Sequence, residues 1–367
     1  MSLSTAEPGQ TQTNPEDHDL EAIYNFAIAL AKDAGNILVK GIEGRQKGRA
    51  ADEGEKEKDS SVDIVTKTDH DLETFIQNSI KSRYPTHAFL GEETYSALNL
   101  PTKPYMLTSS PTWIVDPLDG TVNYTHLFPQ FCISIAYVLD FQSVVGVIYA
   151  PMLNKIYSGY KGGGAWMEDA WPIAYPAEMS KVIGGRQQLP LINNPVPPLP
   201  VNAPKGCTFS CEWGKDRRDI PDGNLHRKVD SFINMAAEIG GRDGKGGMVH
   251  GVRSLGSATL DLAYIATGAF DIWWEGGCWE WDVAAGVCIL NEAGGLVTTA
   301  NPPPDSASCE IRDADLGGRL YLAIRPAGDS EDGETGRTAQ ERVVREVWRR
   351  VRGLGYQRVG VGEGGRK

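Results

Sequence analysis

Residues Trp113 to Thr121, read in order as Trp-Ile-Val-Asp-Pro-Leu-Asp-Gly-Thr, constrain this chain more than any other stretch. Three apolar residues read as a buried strand and deliver two carboxylates, Asp116 and Asp119, onto a proline-pinned turn. Gly120 and Thr121 follow, where the chain can enter a helix. Two acids at that spacing on a sharp turn converge on one point, which like-charge repulsion makes costly unless a cation sits there. All-oxygen ligands suit Mg²⁺, which takes one or two carboxylates together with waters and substrate phosphate. Amides at a helix start stabilise an anion. The turn is thus a candidate site for a metal and a phosphate together. Taken alone, the same string also fits an Asx-turn that merely caps a helix.

Two further acidic segments favour the metal. Upstream, His87 to Leu90 form a short apolar strand that ends in Gly91, Glu92 and Glu93. Downstream, Trp279-Glu280-Trp281-Asp282 places acids at the first turn of an Ala/Val-rich helical run. A two-metal site needs a bridging carboxylate and terminal ligands from different elements, which three such segments can supply. Glu93, pointing away from Glu92, is expected outside the ligand set.

A chain of 367 residues is long enough for one large domain or two intimate halves with a substantial core. A formal charge of −12 offers no basic surplus for a nucleic-acid backbone. No apolar run approaches the ~20 residues that span a bilayer, and Met1 to Asp19 is polar without a signal-peptide pattern. No nucleic acid or membrane partner and a cytoplasmic location are therefore expected. Cys207 and Cys211 alone suggest a metal pair, but no second pair at zinc-finger spacing accompanies them. The six cysteines are expected to be buried free thiols. The sequon Asn123-Tyr124-Thr125 is expected to be idle.

The apolar residues Leu20, Ile23, Ala27, Leu30, Ala34 and Ile37 predict an amphipathic helix ended by Gly41. Glu43 to Asp59 reads as a solvated loop, and Asp69 to Ser82 as a second helix. Phe131 to Leu139 and Val144 to Tyr149 read as a hairpin, and Tyr160 to Trp166 as a turn into another strand. That turn lacks the ending of a P-loop, so no nucleotide role is assigned to it. Pro190 to Pro204 marks a surface excursion or a connection between halves. Arg253 to Ala258 leads into a helix that ends at Gly268, and Val283 to Ala293 is a helix capped by Gly294. Thr338 and Glu341 read as the capping box of a last helix. This irregular alternation favours stacked α/β layers over a simple doubly wound sheet.

The segments Gly91-Glu92-Glu93, Asp116 to Thr121 and Trp281-Asp282 followed by Ala284-Ala285-Gly286 together resemble the inositol monophosphatase family, part of a lithium-sensitive, Mg²⁺-dependent sugar-phosphatase superfamily. Lys58 to Asp69, Arg253 to Ala258 and Glu275 to Asp282 match further family segments in order, and the resemblance spans roughly Leu20 to Val351. It implies a five-layer αβαβα sandwich of the fructose-1,6-bisphosphatase type over residues 19–355. The two halves would join near 175–205, with tails at 1–18 and 356–367. It implies two or three Mg²⁺ ions held by Glu92, Asp116, the Leu118 carbonyl, Asp119 and Asp282, with Asp116 bridging. Glu92, Thr121 and Asp69 would be catalytic, Thr121 aligning the attacking water under the direction of Asp69. Gly120, Thr121, Gly256, Ser257, Ala258, Glu275 and Asp282 would contact substrate, Glu275 by accepting from polyol hydroxyls. Lys58 matches a loop lysine expected to close over the site, and Lys215 departs from a small hydroxyl residue common at that position.

The implied activity is hydrolysis of inositol monophosphate by metal-activated water, in a homodimer that belongs to inositol phosphate metabolism and phosphatidylinositol biosynthesis. A related polyol or sugar phosphate, fructose bisphosphate, 3′-phosphoadenosine bisphosphate or a quinate-utilisation ligand is the alternative within the family. Paired carboxylates also occur in glycosidases, but that chemistry leaves the Gly-Thr amides and the third acidic segment without a role.

Overall fold

The computed structural model describes residues 19–46, 56–60, 63–65, 67–97, 107–173, 179 and 185–357, with the backbone alone described for 45, 56–60 and 63–65. The expected tail at 1–18 and the last ten residues of the expected C-terminal tail lie outside these.

Helix α1 (Leu20–Gln46) opens the fold and is followed by the paired strands β1 (Lys56–Ser60) and β2 (Asp63–Val65). Gly41 does not end α1, contrary to its expected stop role. A Cβ at Gly41 would stand 2.3 Å from the Tyr124 hydroxyl, so the glycine lets the helix continue past a close neighbour. The span read as a loop, Glu43 to Asp59, thus contributes a last helical turn and most of a strand. Lys58 lies on β1, not on a loop; its side chain is outside the described atoms.

Helix α2 (Lys67–Arg83) leads to β3 (Ala88–Gly91), the short α3 (Glu92–Ala97), β4 (Thr112–Asp119) and the five-residue α4 (Thr121–Thr125). The expected hairpin follows as β5 (Cys132–Leu139) with β6 (Gln142–Ala150), and the turn expected from Tyr160 joins β7 (Lys155–Tyr160) to β8 (Gly164–Asp169). With β9 (Gln187–Gln188) these form a sheet in the order β3-β4-β5-β6-β7-β8-β9, antiparallel except at β3–β4. After the proline-rich excursion come β10 (Thr208–Ser210), α5 (Asn224–Ala236), β11 (Gly251–Arg253) and α6 (Ala258–Thr267). The chain then runs through β12 (Ile272–Gly276), α7 (Glu280–Glu292), β13 (Leu296–Thr298), β14 (Leu320–Ile324) and α8 (Gly336–Trp348). The second sheet has the order β11-β10-β12-β14-β13.

Strand alternation sorts the apolar residues into layers. On β4, Trp113 and Val115 face a core built with Ile23, Ala27 and Ala34 of α1 and with Leu72 and Ile76 of α2. Ile114 faces the opposite core, which α6 and α7 fill with Leu260, Leu262, Ala285 and Ile289. That middle layer meets the second sheet through Trp273, Tyr321 and Ala323. Trp274, the next residue after Trp273, faces the outer core with Phe209, Val343 and Val347. The order is helix pair, sheet, helix pair, sheet, helix pair, as expected for an αβαβα sandwich. Both members of the Trp273-Trp274 pair are fully buried core residues.

The last helix starts earlier than the sequence suggests. Thr335 is its cap and accepts from the Thr338 amide at 3.2 Å, while Glu341 pairs with Arg337. The capping box placed at Thr338 and Glu341 is therefore one turn too late. All six cysteines are free, five of them buried and Cys309 partly so.

Candidate active site

The last residues of β4 carry the centre of the site. The pairing of β4 with β5 is regular up to Asp116 opposite Ser134 and shifts before Asp119 opposite Cys132. This irregularity brings Asp116 and Asp119 to the same side of the turn. Asp116 Oδ1 accepts from the Leu118 amide at 2.9 Å, so the Asx-turn foreseen as an alternative is present and helps hold the turn. Gly120 takes the left-handed conformation (φ 83°), where a Cβ would lie 2.8 Å from the Gln130 carbonyl. Only glycine fits that position without strain.

Asp282 arrives from the first turn of α7, where its Oδ2 accepts from the Trp279 amide at 2.7 Å. Asp116, Asp119 and Asp282 each place a carboxylate oxygen within 4.8 Å of the others. Burial and the surrounding carboxylates, Glu92 first among them, push Asp116 well above its ordinary range. Burial pushes Asp119 up to about 6 against the hydrogen bonds from Ser257 and Thr259. Burial, Asp119 and Glu92 push Asp282 up to about 8. Carboxylates that converge and resist ionisation in this way need a cation. A hard, all-oxygen donor set is what Mg²⁺ prefers. Such an ion fits here, with Glu92 and the Leu118 carbonyl lining the same cleft of about 490 Å³.

Glu92 begins α3 where β3 ends. Its placement depends on Glu73 of α2, a residue the sequence did not single out. The buried Glu73 carboxylate accepts from the Glu93 and Thr94 amides at 2.7 Å each and from the Thr94 hydroxyl. It thereby caps α3 from a different element. A Cβ on Gly91 would stand 2.4 Å from that carboxyl carbon, so the glycine makes room for the cap. Glu93 is buried and 3.9 Å from His70, not solvent-facing.

Thr121 Oγ1 lies 3.3 Å from Asp69 Oδ1 and 3.0 Å from the Leu118 carbonyl. Asp69 is almost wholly buried, which fixes the hydroxyl's orientation from α2. Asn123 holds the turn to the second half of the fold. Its amide donates to the carbonyls of Gln130 at 2.6 Å and Leu255 at 2.7 Å. The sequon is thus a tether rather than an exposed acceptor.

Gly256, Ser257 and Ala258 line the cleft. Ser257 does two things at once: its hydroxyl bonds to Asp119 Oδ2 and, as the cap of α6, accepts from the Leu260 amide at 3.2 Å. Thr259 adds its amide to Asp119 at 3.2 Å. The carboxylate-holding role of Ser257 was not evident from the sequence, which cast it as a substrate contact.

Glu275 is in the cleft wall but heavily engaged. Its Oε1 accepts from Lys228 Nζ and from the Gly276 amide at 2.9 Å, and its Oε2 accepts from the Glu212 amide at 2.7 Å. A carboxylate offers about four acceptor positions, so about one remains for a ligand. Lys228 is fully buried in α5, and burial raises the Glu275 carboxyl even beside that ammonium. Lys215 also lines the cleft, where its charge favours the ionised form of Asp282. Glu212 is held by the Leu255 amide at 2.5 Å and the Ser254 hydroxyl at 2.8 Å. Tyr356, which the sequence placed in a tail, lines the same cleft and packs beside Gly276 and Gly277.

A model of the inositol monophosphatase family matches residues 19–352. The chain is 59% identical over 350 residues to quinic acid degradation cluster protein x of Neurospora crassa, covering 93% of this chain and 97% of that one. It is 33% identical to inositol monophosphatase 2 of Saccharomyces cerevisiae, covering 91% and 96%. Among solved structures, inositol monophosphatase from Anabaena superposes with a TM-score of 0.57 at 25% identity, covering 90% of this chain and 96% of that one.

Proposed function

This chain belongs to the inositol monophosphatase family, and we propose that it is a Mg²⁺-dependent phosphomonoesterase acting on a small polyol phosphate. The observation that carries this reading is the convergence of Asp116, Asp119 and Asp282 beside a turn with a left-handed glycine and a threonine held by a buried aspartate.

Asp116, Asp119, Asp282, Glu92 and the Leu118 carbonyl would hold two or three Mg²⁺ ions, Asp116 bridging. When bound, Mg²⁺ makes a water more acidic and stabilises the alkoxide that leaves. The protein's own part is positional. Ser257 and Thr259 keep Asp119 turned toward the other carboxylates, and Glu73 holds the start of α3 so that Glu92 faces them. The Gly120 and Thr121 amides receive the phosphate. With the Thr121 proton committed to Asp69 or the Leu118 carbonyl, the threonine oxygen keeps a lone pair that accepts from the attacking water and orients it. Glu275 borders the polyol end.

Inositol monophosphate is the first substrate to test. A phosphorylated polyol of quinate utilisation is the second, on the strength of the Neurospora relative's name and 59% identity. The functional unit is proposed to be a cytoplasmic homodimer. Phosphate release from a panel of polyol, sugar and nucleotide phosphates, with Mg²⁺ and with added Li⁺, tests the reading. Mg²⁺-dependent, Li⁺-inhibited release from a cyclic polyol phosphate is expected. Equal hydrolysis in the presence of excess chelator would overturn it.

A further inference from the structure

Tyr95 stands three residues after Glu92 on α3, a spacing that puts both side chains on one face of the helix. Its ring meets two indoles that lie just ahead of Asp282 in the chain. The Tyr95 centroid is 5.4 Å from that of Trp279, with 52° between the planes, and 5.2 Å from that of Trp281, with 53°. The two indoles stack on each other at 5.4 Å and 19°. Trp281 is almost wholly buried, and Tyr95 and Trp279 pack, partly buried, against the same core. The Arg319 guanidinium lies over the Trp279 ring, its carbon 3.7 Å from the centroid. Trp279 also donates its amide to Asp282 Oδ2 at 2.7 Å, so one residue that receives Tyr95 also orients the aspartate.

The two ends that these rings join repel each other. The Glu92 charge opposes ionisation of both Asp282 and Asp116. Without a cation among the carboxylates, that repulsion works to separate α3 from the start of α7. Glu73 ties α3 to α2. The ring contacts tie it to α7, across the gap that the carboxylates would open. Tilted and stacked rings at these separations attract each other beyond the area they bury.

We propose that Tyr95 is a positioning residue for the metal site: by packing on Trp279 and Trp281 it holds Glu92 beside Asp282 before the cation binds. The inference rests on the reading of these carboxylates as Mg²⁺ ligands. Tyr95 lies outside the cleft lining and acts through Glu92. Asp116 and Asp119 are set independently, by the Leu118 amide and by Ser257. A ligand held in place beforehand spares the ion the cost of ordering it.

Mg²⁺ titration by calorimetry on the wild-type protein and a set of variants tests this. Tyr95→Ala removes two ring pairs, which together correspond to a factor of roughly 5 to 150, and should raise the Mg²⁺ Kd by about 5-fold or more. Tyr95→Phe keeps the ring and should stay within about 2-fold of wild type. Tyr95→Leu keeps apolar volume without the ring, should also weaken binding, and serves where the alanine variant does not fold. The deciding comparison is made in a Glu92→Gln background, where Tyr95→Ala should change the Kd by less than about 2-fold, because two residues that act as one unit are not additive. A wild-type Kd in Tyr95→Leu or Tyr95→Ala overturns the inference, even if the melting temperature falls, since the ring would then serve packing alone. Equal weakening with and without the Glu92 charge also overturns it. Both results leave the metal reading intact, whereas absence of Mg²⁺ binding by the wild-type protein removes that reading and the inference with it.

Discussion

Asp116 combines two roles that substitution can separate. Its Oδ1 closes the turn by accepting from the Leu118 amide, which an asparagine carbonyl can also do. Its negative charge among three other carboxylates is what an asparagine removes. Asp116→Asn should therefore keep the fold while lowering turnover by at least about 1,000-fold, roughly 4 kcal/mol of barrier. Circular dichroism and phosphate release measured on one preparation check both halves, and activity within ~10-fold of wild type would count against the bridging role. Lys228 offers the converse case, where charge serves structure. It is fully buried and paired to Glu275, and it also donates to the Glu212 carbonyl at 2.8 Å. Lys228→Met leaves Glu275 buried without its counterion and should destabilise the protein by about 3–5 kcal/mol. The double variant Lys228→Met, Glu275→Gln should regain part of that loss in urea unfolding. No recovery would show that the lysine matters through packing rather than charge.

The elements that present the site were legible where the signal is local. The alternating apolar residues of β4, the acids that end β3 and open α7, and the Gly268 and Gly294 stops are all contained in a few consecutive residues. What escaped the sequence depends on partners far along the chain. Glu73 caps α3 across 20 positions, Lys228 meets Glu275 across 47, and Ser257 reaches Asp119 across 138. Gly41 was misread for the same reason, since a helix-breaking residue and a close-packing residue look alike until Tyr124 is placed beside it. Thr335 and Thr338 were confused because both are good caps three residues apart. Gly146 on β6 shows how closely the elements are packed. A Cβ there would stand 2.3 Å from the Ala285 carbonyl of α7, the helix that carries Asp282. A backbone atom cannot rotate away, so Gly146→Ala must push the helix off the sheet. Overpacking of this kind should destabilise by roughly 1–3 kcal/mol, and displacement of Asp282 should weaken Mg²⁺ binding as well. Urea unfolding and Mg²⁺ titration by calorimetry check the two effects, and a variant with wild-type stability would show that sheet and helix separate freely.

At the scale of the whole molecule, folding stores a charge conflict that a cation relieves. Asp119 at about 6 and Asp282 at about 8 stand above the ordinary carboxylate value near 4. Between those limits the metal-free native state holds protons that the unfolded chain has released, so its stability falls as pH rises from about 4 to about 8. Mg²⁺ binds the ionised carboxylates and competes with those same protons. Its stabilisation should therefore grow over the interval in which metal-free stability declines. Ligand at 100 times its Kd adds about 2.7 kcal/mol, which for a chain of this size corresponds to a Tm shift of several degrees. Thermal unfolding with chelator should show Tm dropping from pH 5.5 to pH 8.5, and the same scans at fixed Mg²⁺ should show a shift at pH 8.5 at least twice that at pH 5.5. Asp282→Asn removes the group with the highest of the two values and should flatten both trends. A Mg²⁺ shift independent of pH in the wild-type protein would mean that the ion binds elsewhere than at the three converging aspartates.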